Sequence, residues 1–541
     1  MTSTHEARKA ELVRRLAELS PRKRADALLE EVDGRVLVAS IPAEDVYGTI
    51  IDVGLADSTE IVQYSTPEQF RTYVDLAAWQ KDRMDPLEVL HWLRAARGDD
   101  DEAFTRKIAS LDIEVLELIY AKLALIHDWQ ENPDVDTEGV TMETPEGKFL
   151  VEFRVDGVDE AAMRRLTFDL MATNPFELTR FLEAVRWESP LELEEAAFQF
   201  RQSRLQDLGF PPLEEAIKVF AWVDPDKVGA RTPGMGLTSQ AHVDYVTAAF
   251  RGLDEVERAN LESEVRYLVN CVLVAEGAEP GDPPAIRRYS EYARDYLDLG
   301  LEHLTGANPE LSPSVVRERS LKDLFQLGFS LTLRLKRQVE KLAKEEGAKF
   351  GETWLALDEE RAVLDALLRK RPLKALKVPG AEPVPFRSRR ELAEAEALLA
   401  RVRTQRAIFT ALLGPQPSDV VARFGVSLAE LTPQRLFAAT VVLAELDEVV
   451  DVAPVPAVRL TEFLNRVLEE KGPSAMVRPS AGARAVAALA SKIADSKAEL
   501  EVMVARVLAS IALDVGAAWV KDGRVDAKKV IVLPMQGELP V

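Results

Sequence analysis

Cysteine is almost missing from this chain. Its 541 residues hold one, Cys271. A lone thiol closes no internal disulfide, which removes the disulfide-stapled secreted scaffolds and fits a reducing compartment. Cys271 stands in the apolar run LVNCVLVA, where core packing is its expected role. Histidine is scarce as well, with five in all. His5, His91, His127, His242 and His303 have no second His or Cys at a helical ligand spacing, so neither a metal site nor a cofactor is expected. Basic charge is also short: 68 Lys and Arg face 91 Asp and Glu, a net charge of −23. That balance repels phosphate backbones and anionic lipid surfaces. No apolar run reaches membrane-spanning length. The opening stretch MTSTHEARKAELVRRLAEL is a charged amphipathic helix without the apolar core of a signal peptide. Nucleic-acid binding and membrane insertion are therefore not expected, and a cytoplasmic protein is.

Catalytic signatures are missing too. There is no nucleophile elbow, no kinase set and no zinc-protease motif. The loop RTPGMGLTSQ carries Gly234 and Gly236, but no strand precedes it and neither phosphate-binding spacing is complete. An ordinary turn and helix cap is expected there. Carboxylate groups such as Glu194-Glu195 and Asp99-Asp100-Asp101 read as solvated faces or helix-start charges. Tyr289, Tyr292 and Tyr296 form a helix stripe of core or interface type.

What is abundant is helix. The apolar fraction of 47% and charged fraction of 29% fit an ordinary folded chain. Apolar residues recur at helical spacing, as in Leu116, Ile119, Tyr120, Leu123 and Ile126, and again in Leu324, Leu327, Leu331 and Leu335. One phrase recurs as well: a small polar residue, a proline, then acids or amides and an apolar helix. It stands at Ser20-Pro21, Thr66-Pro67, Asp85-Pro86, Asn174-Pro175, Ser189-Pro190, Ser312-Pro313 and Thr432-Pro433, with variants at Ser40/Pro42 and Asp112. The polar residue caps free N–H groups, and proline at the first helical position lacks an N–H that would be orphaned. An apolar residue follows three places after most of these prolines: Phe70, Val89, Leu178, Leu193, Val316 and Leu436. Starts near 21, 42, 67, 86 and 112 are about one helix and a connection apart, the spacing of stacked helices that cover one another.

One segment breaks the period. Residues 139–155, GVTMETPEGKFLVEFRV, alternate around Pro145-Glu146-Gly147 and predict a β-hairpin. A lone hairpin is marginal in water, so a further strand is expected, and KKVIVLP at 528–534 is the one other short β-branched run. The Pro-rich residues 371–388 read as a linker or strap. The Ala-rich stretch 482–513 reads as one or two closely packed helices. The expected domains are a helical-repeat domain at 1–137, the hairpin and a helical segment at 138–240, a helical domain at 241–376, and a C-terminal helical domain at 387–541 with a terminal strand.

Two resemblances add to this reading. Residues from about 20 to 128, including LEEVDGRVLVASIPAEDVYGTIIDVGLADSTEIVQYSTPEQFRTYVDLAAW, resemble the helical repeats of the MgtE N-terminal domain and the armadillo-like repeats of FliG. That resemblance implies a regulatory or scaffolding superhelix. Without the rest of the transporter it does not imply ion transport. The blocks YLVNCVLVAEGAEPGDPPA, LKDLFQLGFSLTLRLKRQ and PFRSRRELAEAEALL resemble an uncharacterised bacterial family, domain of unknown function 6178. It supplies no activity and no site residue.

The expectation is thus a mainly α, helical-repeat scaffold or adaptor that binds another protein. An acidic surface favours a basic partner, and self-association stays open. Trp79, His91, Trp92, Arg94 and Trp129 are the candidate contact residues, although core burial is the ordinary fate of each Trp. Two alternatives remain: an enzyme of unfamiliar type with a site near 224–240, and a module that responds to a divalent cation.

Overall fold

In the computed structural model the described residues are 19–30, 34–173, 175–229, 244–306, 308–346, 358–376, 378, 380–413, 423–424, 433–470, 475–493, 497–517 and 535–536. They are mainly helical, with short strands. The chain forms two compact units. The first comprises Met1–Ala221, Gly252–Arg294 and Ser320–Lys322, and the second Trp222–Arg251, Asp295–Arg319 and Asp323–Val541.

Among the described residues up to Leu123, the first unit has eight α-helices: α1 Pro21–Glu30, α2 Gly34–Val38, α3 Ala43–Val53, α4 Thr59–Tyr64, α5 Pro67–Ala77, α6 Pro86–Ala96, α7 Asp101–Ser110 and α8 Ile113–Leu123. Helices α1, α3, α5 and α7 pack in succession, and so do α2, α4, α6 and α8. Each helix therefore covers the one two places further on. Helices start at 21, 43, 67, 86 and 113, close to the expected positions, but the expected single helix per interval is found only between 67 and 86. The extra helices α2, α4 and α7 fall between them.

The Thr66 start shows how local chemistry becomes packing. Thr66 Oγ1 accepts from Gln69 N at 3.2 Å, and Gln69 Oε1 accepts from Thr66 N at 2.9 Å, a reciprocal capping box. The Gln69 amide also donates to the Val38 and Ile41 carbonyls at 2.8 and 2.9 Å. One side chain thus starts α5 and ties it to the turn after α2. Phe70, Tyr73 and Val74 then enter the core. Asp85 caps α6 through Leu87 N and Glu88 N, and Asp100 caps α7 through Ala103 N. Asp112 precedes α8 without capping it. Its carboxylate instead accepts from Arg204 at 3.0 Å.

Strands β1 Trp79–Gln80 and β2 Arg83–Met84 form a small hairpin. Strands β3 Ala124–Asp128, β4 Thr141–Glu143 and β5 Phe149–Phe153 form an antiparallel sheet with β5 in the centre. The hairpin at 139–155 is present as expected. Its turn uses Gly147 at φ 65°, a left-handed backbone that favours glycine, and Gly147 N donates to Thr144 O. The third strand differs from expectation. It is β3, so the face assigned to one helix through Ile126 ends at Leu123. Residues 528–534 lie outside the described residues. Helices α9 Gly157–Thr173, α10 Pro175–Trp187 and α11 Pro190–Asp207 follow. Helix α9 packs on α6 and α10, and α8 receives both α10 and α11.

In the second unit, helices Pro433–Asp447, Ala457–Val467, Ala483–Lys492 and Lys497–Ala517 share one apolar core around Phe437, Phe463 and Ile511. The Ala-rich stretch is therefore two helices. Elsewhere in this unit two helices come unusually close. A Cβ on Gly328 would lie 1.9 Å from Tyr296 O, and one on Gly300 2.2 Å from Leu324 O. Both positions require glycine. The segment 371–388 is anchored by the Lys374–Val384 bridge and the buried Phe386. The Ser312 start differs from expectation: Leu311 occupies the cap position, Ser312 lies inside the helix, and its hydroxyl has no hydrogen-bond partner among the described residues.

Candidate functional site

Helices α6, α7 and α9 of the first unit border a cleft of about 560 Å³. Its walls are apolar: Leu90 and Leu93 from α6, Phe104 from α7, and Val158, Ala161, Ala162 and Leu166 from α9. Three guanidiniums and one carboxylate edge it, those of Arg94, Arg97, Arg165 and Asp169. Helical spacing explains the α9 wall, since residues 158, 161, 162, 165, 166 and 169 fall on one face.

The charges are organised in pairs. Arg97 bonds Asp169, and its other nitrogen meets Asp101 at 2.8 Å. Arg165 reaches Asp169 at 3.3 Å. Arg97 also lies over the Phe104 ring, 4.7 Å from its centroid. Burial pushes the Asp169 carboxyl above its ordinary pKa, and Arg97 and Arg165 hold back part of the rise. Arg94 and Arg165 are half exposed, at 51% and 53%. Beside the cleft, Val158 and Phe168 are exposed at 67% and 51%. The three guanidiniums face three carboxylates, since Arg94 lies 3.8 Å from Asp159 while Arg97 and Arg165 share Asp101 and Asp169. The half-exposed heads of Arg94 and Arg165 are what an anionic group on an apolar body would meet here.

Of the five residues singled out from sequence, Arg94 lines this cleft. His91 stands one helical turn away, its Nε2 3.3 Å from Asp159 Oδ1. Arg94 approaches the same oxygen at 3.8 Å. Trp92 is fully buried. Its Nε1–H donates to Glu88 at 3.0 Å, and its ring stacks on Tyr47. Trp79 is buried under Arg201, whose guanidinium lies 5.3 Å from the ring centroid. Neither tryptophan offers surface to a partner. Trp129 is half-buried beside the three-stranded sheet, with its backbone N–H donating to Lys148 O. Reasoning from sequence missed Arg97, Phe104, Arg165 and Asp169. The signal available was Arg165 and Asp169, one turn apart on α9.

His127 lies in β3, where its Nε2 meets Glu152 at 2.7 Å. Glu152 also accepts from the Gly139 and Glu138 N–H groups, and the first of these does most to lower its pKa. Glu194 also differs from expectation. It points inward, accepting from Met84 N at 2.8 Å and Lys122 Nζ at 2.6 Å. Among the described residues no group of three or more His, Cys, Asp or Glu is placed to hold a metal ion. No helix among them is long and apolar enough to cross a membrane. His5, His242 and residues 230–240 of the glycine loop lie outside the described residues.

A family model described as a family of unknown function, DUF6178, matches residues 2–536. No curated protein and no solved structure matches the chain.

Proposed function

We propose, for a chain that belongs to this family of unknown function along nearly its whole length, that it is a cytoplasmic helical scaffold or adaptor. Its α6/α7/α9 cleft takes an amphipathic helix of a partner protein, with a carboxylate beside its apolar anchors. The observation that carries this reading is the apolar wall edged by Arg94, Arg97 and Arg165. Partner leucines or an aromatic ring would fill the apolar part, and the carboxylate would meet the half-exposed guanidiniums. Exposed Val158 and Phe168 extend the apolar surface past the cleft. That favours a macromolecular partner over a small enclosed ligand. The two rows of helices packed two places apart support the helical-repeat likeness to the MgtE N-terminal domain and FliG as part of the same proposal.

The test uses two synthetic helical peptides with leucines at three- and four-residue spacing. They differ at one position beside the leucines, Glu in one and Lys in the other. Fluorescence anisotropy should give tighter binding of the Glu peptide by about fivefold, the effect of one partly exposed ion pair. Arg165→Glu should reverse the preference. Equal binding of both peptides to both proteins would remove the proposed role of the arginine edge.

A further inference from the structure

A second cleft, of about 490 Å³, lies on the other side of α9, among α8, α9 and α10. Leu116, Leu170, Leu178, Phe181 and Ala184 make its walls apolar. Two carboxylates line it, Glu177 on α10, which pairs with Arg180, and Glu117 on α8. Glu117 is the one without a partner among the described residues. It is 6% exposed, and no described residue gives it a hydrogen bond or an ion pair. The charged groups around it are wrongly signed or already engaged. Glu114 and Glu188 repel its negative charge. Arg180, at the cleft edge, is 80% exposed and lies 3.7 Å from Glu177. A buried charge without a counter-ion is costly, and a cation that enters the cleft removes that cost.

We propose that this cleft binds a primary ammonium group on an aliphatic stem, with Glu117 as its counter-ion and the apolar walls around the stem. Both a partner's lysine side chain and a small alkylamine have this chemistry. The site is independent of the α6/α7/α9 cleft, so either proposal can fail alone. Burial, then Glu188 and Glu114, raises the Glu117 carboxyl to about 7. Ammonium binding requires the ionised form, so it releases a proton near neutral pH. Affinity then falls about tenfold per unit as pH drops below 7.

Calorimetric titration of the full chain with n-pentylammonium chloride tests this. At pH 8 binding should be saturable, and 1-pentanol should bind at least tenfold more weakly. At pH 5.5 amine affinity should drop at least tenfold. Buffers of different ionisation enthalpy should reveal proton release at pH 7. Glu117→Gln, which keeps the shape and removes the charge, should weaken the amine at least tenfold. A lysine-bearing helical peptide that competes with the amine identifies the partner side chain as the source. Amine binding without such competition identifies a small amine. The proposal is overturned if the amine does not saturate, if pentanol binds as well, or if wild-type affinity is the same at both pH values. The wild-type pH series decides the question even if the variant fails to fold.

Discussion

Tyr120 Oη lies 2.8 Å from Thr167 Oγ1, and both residues are fully buried. Thr167 Oγ1 donates to Met163 O at 2.9 Å, so the tyrosine is the donor between the two. This contact fixes α9 against α8, and α9 forms a wall of both clefts. Tyr120→Phe should cost about 1–1.5 kcal/mol, one neutral hydrogen bond. Thr167→Val leaves the tyrosine hydroxyl buried without a partner and should cost more, about 1–3 kcal/mol. Urea midpoints read both, and an equal or reversed order would count against this proton assignment.

Glu117 makes stability depend on pH in a defined direction. Its folded pKa, about 7, is raised above the ordinary value of 4.5. The folded chain therefore holds a proton that the unfolded chain has lost between these values. Stability from this group rises as pH falls from 7 toward 4.5, and is lost as pH rises through 7. Glu117→Gln should stabilise the protein by about 1–2 kcal/mol at pH 8, below the full linkage value because water reaches the cleft. The gain should shrink at pH 5.5. An equal gain at both pH values would show that the carboxyl does not titrate in this window.

The buried pair Asp75–Arg204 anchors α11. Arg204 meets Asp75 through two bonds of 2.7 and 2.8 Å, and also bonds Asp112. Arg204→Met strands two carboxylates and should cost about 3–5 kcal/mol. Arg204→Lys keeps charge but loses the forked geometry, and should fall between methionine and wild type. Chemical denaturation at pH 7 checks the order, and a neutral methionine variant would refute it.

In the second unit, Gly328 faces Tyr296 O and Gly300 faces Leu324 O, too closely for any Cβ. Gly328→Ala should destabilise by about 3 kcal/mol, the upper range for forced overpacking. This opposes the gain of alanine in a free helix. Thermal unfolding distinguishes the two signs.

Helix starts with a side-chain cap were legible, because that signal is local, whereas those of α2 and α4 were not, and the start of α4 carries no such cap. Thr66, Asp85 and Asp100 act within one turn of themselves. The tertiary use of Gln69, which reaches Val38 and Ile41, was not legible. Neither was the switch from α8 to β3. Ala124–Asp128 continues an apolar helical pattern, and pairing with β5 overrides it. Glu194 and Lys107 look like surface charges in sequence, yet Lys107 is 2% exposed and donates to Gln63 O. The cleft was legible only in Arg94. Its other charged groups lie up to 75 residues away, and the packing of α9 on α6 brings them together.

The most direct test of the docking proposal is site-specific photo-crosslinking in the native cell. Benzoylphenylalanine replaces Ala161, on the α9 wall, or Leu513, an exposed control. The account predicts that Ala161, and not Leu513, crosslinks one protein through an amphipathic helix bearing a carboxylate, and that Arg165→Glu abolishes the product. Equal labelling at both positions, or a crosslinked segment with neither apolar periodicity nor an acid, would contradict it.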